Sequence, residues 1–178
     1  VVLVFRYNTG AAFYGQVIHD TGDWSAWLLL LTLAITPLRL TFPGRRWIGW
    51  LMRRRRYFGL AVFGYAALHT AVYLLRKKDP AAIWADGIEP ELLTGWIALF
   101  IFIPLAVTSN DWSVRALRRG WKLLHRWVHL AAVLVFVHWA LSAFNPANAY
   151  IHLSILGLIE AVRLGHIYRR WRRRSVTT

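Results

Sequence analysis

Apolar residues along this chain gather in five long runs, at residues 24–40, 57–75, 92–109, 121–143 and 148–166, separated by short polar connectors. Each run is near the roughly 20 residues that an α-helix needs to cross about 30 Å of hydrocarbon. In that solvent every backbone polar group must be satisfied internally, so runs of this length predict helices. The pattern predicts an all-α, polytopic transmembrane helix bundle, read as a single domain over residues 1–178. The fifth run is the least uniform, because Glu160 and Arg163 interrupt it. At i,i+3 the two can neutralise each other near one end. The opening VVLVF reads as the end of an earlier apolar helix, so an N-terminal span is expected to be truncated or missing.

Charge sharpens this picture. The chain is 57% hydrophobic, yet it carries 22 basic against 8 acidic residues, a net charge of +14. A soluble nucleic-acid binder would explain the charge but not the apolar runs. The charge is segregated outside those runs: Arg45, Arg46 and Arg53 to Arg56 fill one connector, Arg115, Arg118, Arg119 and Lys122 another, and Arg169 to Arg174 the tail. Basic clusters between spans set orientation, which places these connectors in the cytoplasm, next to lipid and with no nucleic-acid partner. The residues before 24, the loop 76–91 and the NPANA turn then fall on the outer side. Arg76, Lys77 and Lys78 go against the rule, although Asp79, Asp86, Glu89 and Glu91 share their loop. Tryptophans 24, 47, 50, 96, 112, 121 and 171 lie mostly where runs meet connectors, as in an aromatic belt.

Histidines inside apolar runs carry the candidate chemistry. A bilayer interior does not solvate an imidazole, so His69, His125 and His138 must each be paired, water-linked or coordinated. His69 lies twelve residues after Tyr57 and His138 seventeen after Trp121, which puts them about 18 and 25 Å from the cytoplasmic starts of their helices. Both fall in the outer half, on different helices that can be neighbours, as bis-imidazole ligation of one b-type haem requires. Hydrogen bonding to a neighbouring helix is the competing explanation for a lone membrane histidine. His125 lies about 20 Å lower than His138 and, on an ideal helix, roughly 140° away around the axis. A second haem there would make a two-step path, with His129, one turn on, as a rival ligand. His19, His152 and His166 sit near run ends and read as interfacial. Absence of cysteine excludes iron–sulfur clusters and covalent c-type haem, and no GxGxxG or Walker loop marks a nucleotide-binding module.

The runs TGDWSAWLLLLTLAITPLRL, RRRYFGLAVFGYAALHTAVYLL and TGWIALFIFIPLAVTSNDWSVRALRRGWKLLHRWVHLAAVLVFVHWAL resemble the ferric-reductase-like transmembrane domain over residues 16–169. Within it the chain is most similar to the haem-binding membrane subunits of periplasmic methionine sulfoxide reductase systems. The resemblance implies that His69 and His138 hold an outer haem b, and that His125 serves an inner one. Bis-haem ferric reductases and NADPH oxidases carry a further histidine about fourteen residues before the first, where this chain has Arg55. The haem-binding subunits share that arginine, which could hold a haem propionate or a flavin phosphate, making FMN a second candidate cofactor. At position 129 they usually carry an aromatic, so His129 departs from their pattern.

By the same resemblance, the chain is expected to relay electrons from a cytoplasmic flavin reductase or quinol to a periplasmic reductase that performs the substrate chemistry. It would be an electron-transfer subunit of an oxidoreductase system, with no catalytic residue of its own. The alternatives are direct reduction of ferric iron, and an accessory, structural haem-carrying subunit of a larger complex.

Overall fold

The computed structural model describes residues 14–175, apart from the side chains of residues 170 and 174. Among these residues every regular element is an α-helix: α1 (Tyr14–Thr41), α2 (Arg46–Lys77), α3 (Pro80–Gly87), α4 (Pro90–Val107), α5 (Asp111–Leu117), α6 (Arg119–Arg126), α7 (Val128–Ser142) and α8 (Ala147–Ser175). Five helices are long and apolar enough to cross a membrane: α1, α2, α4, the α6–α7 pair and α8. The apolar opening VVLVF, read above as the end of an earlier span, lies outside the described residues.

Local sequence explains the breaks. Gly44 adopts φ +84° in the α1–α2 turn, a conformation that costs glycine little. Lys78 takes a left-handed C-cap whose N–H bonds the Leu74 carbonyl, ending α2. Asp79 then caps α3 by accepting from the Ala81 N–H at 3.0 Å, with Pro80 at the first helical position. Asn110 caps α5 through the Ser113 N–H at 2.8 Å.

Two features of the spans differ from the sequence expectation. Helix α2 begins at Arg46, so Arg53 to Arg56 lie on a helix and not in a connector. Arginine is a good helix former, and a span can run on past the hydrocarbon. The fourth run is divided at Trp127 into α6 and α7, where the Trp127 N–H bonds the Leu124 carbonyl three residues back while the backbone keeps right-handed helical dihedrals.

The spans close into a ring, with α1 against α2 and α8, α4 against α2 and α7, and α8 against α7. Helix α1 is the most enclosed: 44% of its most apolar window is buried, against 11–17% for the other four spans. Leu29, Leu30, Leu33, Val62, Phe102 and Phe136 form the centre of the core. Ser25 donates to the Val62 carbonyl at 3.1 Å, joining α1 to α2. Most other apolar surface faces outward, as a bilayer solvent requires. The arginine-rich segments share one end of the bundle, where Arg56 pairs with Asp111 at 2.8 Å and Thr41 meets His166 at 3.3 Å.

Candidate functional site

His69 on α2 and His138 on α7 meet in the half of the bundle away from the arginine-rich end. Their ring centroids are 6.3 Å apart and their planes lie at 87°. Helices α2 and α7 are not a closely packed pair, so the rings reach toward each other across the ring of spans. His69 Nδ1 lies 2.9 Å from the Ile18 carbonyl of α1, and His138 Nδ1 lies 2.6 Å from the Glu91 carbonyl of α4. A carbonyl can only accept, so each Nδ1 carries a proton, and in the neutral imidazole each Nε2 keeps its lone pair. Among the described residues no hydrogen bond engages either Nε2.

This is how metal-ligating imidazoles are held: the remote nitrogen donates to a fixed acceptor, which sets the tautomer and raises ligand basicity. The centroid separation accommodates two metal–imidazole bonds of about 2 Å together with the half-widths of two rings. Among the described residues no group of three or more His, Cys, Asp or Glu could hold a metal ion. A metal at this pair would have two protein ligands from two helices, and a planar macrocycle would have to supply the rest.

The arginine-rich half contains the other candidates around a cavity of about 580 Å³, lined by Arg55, Arg56, Lys122, His125, His129 and Arg163 among others. His125 stacks on Trp121 at 3.9 Å, and its Nε2 lies 3.1 Å from the Thr108 hydroxyl. That hydroxyl donates to the Pro104 carbonyl at 2.6 Å, so it accepts from His125, which in the neutral ring leaves Nδ1 with the lone pair. Arg55 donates to the Thr36 hydroxyl at 3.3 Å. His129 is held differently: its Nδ1 lies 2.6 Å from Glu160, and Arg163 approaches both His129 and Glu160. The structure thus brings Arg55, His125 and His129 to one cavity and keeps them apart from the His69–His138 pair.

His152, read above as interfacial, is buried. It lies more than a turn inside α8, packed against Trp27 at 4.4 Å and Trp139 at 4.7 Å, with Nδ1 on the Asn148 carbonyl. Trp27 of α1 and Trp139 of α7 cover the ring, which buries a position that its place along the run did not mark as enclosed. His19 is exposed and pairs with Asp23 at 3.1 Å. Sequence reasoning missed the carbonyls of Ile18 and Glu91, because a backbone acceptor has no residue signature of its own.

A family model, "Ferric reductase like transmembrane component", matches residues 21–137. The chain belongs to this family. The ferric-reductase-like match covers the whole of α2, α4 and α6 and most of α1 and α7. Curated relatives agree: the chain is 36% identical over 159 residues to the protein-methionine-sulfoxide reductase heme-binding subunit MsrQ of Brucella ovis, covering 87% of this chain and 70% of that protein. Proteins of the same name from Brucella canis and Brucella suis match to the same extent. No solved structure matches. Length, composition and family together make this a multi-pass membrane protein.

Proposed function

We propose that the chain is a membrane b-type cytochrome, with His69 and His138 as the two axial ligands of one haem. The observation that carries this reading is the pair of imidazoles from separate helices, each tied through Nδ1 to a carbonyl and each presenting Nε2. Naming of the MsrQ relatives as heme-binding subunits supports it. A bound haem supplies one-electron chemistry at a potential tuned by its ligands and surroundings. The protein residues fix the imidazole tautomers through the Ile18 and Glu91 carbonyls.

In this reading the chain sits in a bacterial inner membrane with its arginine-rich end in the cytoplasm. It passes electrons from a cytoplasmic flavin donor or quinol to a periplasmic reductase partner. The cationic cavity supports a second cofactor with anionic groups, either a second haem with His125 or His129 as axial ligand and Arg55 on a propionate, or FMN with Arg55 on its phosphate.

Haem content and reduced-minus-oxidised spectra of purified variants test the proposal. His69→Ala and His138→Ala are each expected to lose the low-spin b-type spectrum and most of the bound haem. Full haem content in either variant rejects the pairing. For the inner site, His125→Ala and His129→Ala should differ, and unchanged haem stoichiometry in both rejects a second haem on these histidines.

A further inference from the structure

The two histidines are seated in the same way, by a motif that occurs twice. His69 packs on Gly22 of α1, where an added Cβ would meet the ring at 3.3 Å from Nδ1 and 3.4 Å from Cε1. His138 packs on Gly95 of α4, where an added Cβ would lie 2.9 Å from Nδ1, 3.1 Å from Cε1 and 3.2 Å from Cγ. In each case the carbonyl bonded by Nδ1 belongs to the residue four positions before the glycine, Ile18 before Gly22 and Glu91 before Gly95.

Helix geometry explains the register. A Cα–Cβ bond leans toward the helix N-terminus, so a side chain covers the turn before its own Cα, where the carbonyl at i−4 lies. A glycine leaves that carbonyl open to a ring from a neighbouring helix. The residue before each glycine is a threonine, and both threonines act alike. Thr21 donates to the carbonyls of Val17 at 2.8 Å and Ile18 at 3.0 Å, and Thr94 to those of Pro90 at 3.0 Å and Glu91 at 2.9 Å. The histidine acceptor therefore receives a threonine hydroxyl in both copies, which holds each hydroxyl along its own helix and away from the ring.

We propose that Gly22 and Gly95, each within a Thr-Gly pair, are positioning residues that seat the two ligand imidazoles against α1 and α4 and thereby set their tautomer and ring planes. The inference rests on the haem-ligand reading above. The contacts are unequal. At Gly95 a methyl group would overlap the imidazole and force it to move, whereas at Gly22 a shift of a few tenths of an ångström suffices.

The full chain purified with its haem tests this by comparing Gly95→Ala and Gly22→Ala with Gly64→Ala and Gly157→Ala. The last two positions have no atom within 4 Å of an added Cβ and serve as controls. Gly95→Ala is expected to weaken haem binding about tenfold or more, the usual loss when support of a ligand is removed. Gly22→Ala is expected to keep its haem but to shift the ferric EPR signal, which in the wild type should be the strongly anisotropic low-spin form of near-perpendicular imidazole planes. Both controls should match the wild type. Wild-type affinity and an unshifted signal in both test variants overturn the inference alone, as do equal losses in the controls. If Gly95→Ala does not yield folded protein, the Gly22→Ala signal decides. A wild type without a bis-imidazole signal rejects the ligand reading, and this inference with it.

Discussion

At the scale of single residues, the polar groups of this bundle are held in small, nearly closed sets. Glu160 shows what such a set contributes. It accepts from His129 at 2.6 Å and from Arg163 at 3.3 Å, joining α7 to α8 among half-buried side chains. Removing the only acid would leave a guanidinium and an imidazole facing each other beside apolar surface. Breaking one member of a partly buried ion pair costs more than the pair contributes, because the remaining charge stays desolvated. Glu160→Ala is expected to lower stability by about 1–3 kcal/mol. Glu160→Gln, which keeps an acceptor oxygen, should lose less. Thermal unfolding in detergent checks both, and wild-type melting of the alanine variant would show that this set does not hold α8. The sequence showed Glu160 and Arg163 as neighbours one helical turn apart. It did not show that His129 joins them, because that needs the phase of α7 relative to α8.

At the scale of elements, run lengths and turn residues made the spans legible, and helix depth was enough to match His69 with His138. Short helices outside the hydrocarbon were less legible. The segment 76–91 reads as a mixed-charge loop, yet Asp79 and Pro80 start a two-turn helix in it. Helix α3 is tied back to α2 by Asp86, which accepts from Lys77 and from the Tyr73 hydroxyl at 3.3 Å. The Lys77 ammonium beside it, with the Tyr73 hydroxyl, holds the Asp86 carboxyl below the usual carboxylate range. A carboxyl depressed in the folded state stabilises the fold above its unfolded pKa near 4, and that contribution is lost as pH falls through the lower folded value. Amide-exchange protection of residues 80–87 should therefore be constant from neutral pH down to about 4 and fall below it. In Asp86→Asn it should be reduced already at neutral pH. Protection in the variant equal to the wild type would remove Asp86 from the docking of α3.

At the scale of the whole molecule, charge and fold agree on two unlike ends. Contacts between Arg56 and Asp111 and between Thr41 and His166 gather the α1–α2 turn, α5 and the last turns of α8 at the end that carries nearly all the arginine. The opposite end carries the acidic residues of 79–91 and the histidine pair. A basic excess at one end resists translocation, so the proposed orientation keeps that end in the cytoplasm and the pair near the periplasm. The chain contains no cysteine, so single cysteines report position without background. Trp84 and Asn145 are exposed at the acidic end, and Phe42 and Trp112 at the basic end. In intact spheroplasts, Trp84→Cys and Asn145→Cys should react with a membrane-impermeant maleimide, while Phe42→Cys and Trp112→Cys should react only after lysis. The reverse pattern would invert the orientation and move the histidine pair to the cytoplasmic face, where a periplasmic acceptor could not be reached in one short step. Labelling of one site from each end in intact cells would contradict the alternation of the five spans itself.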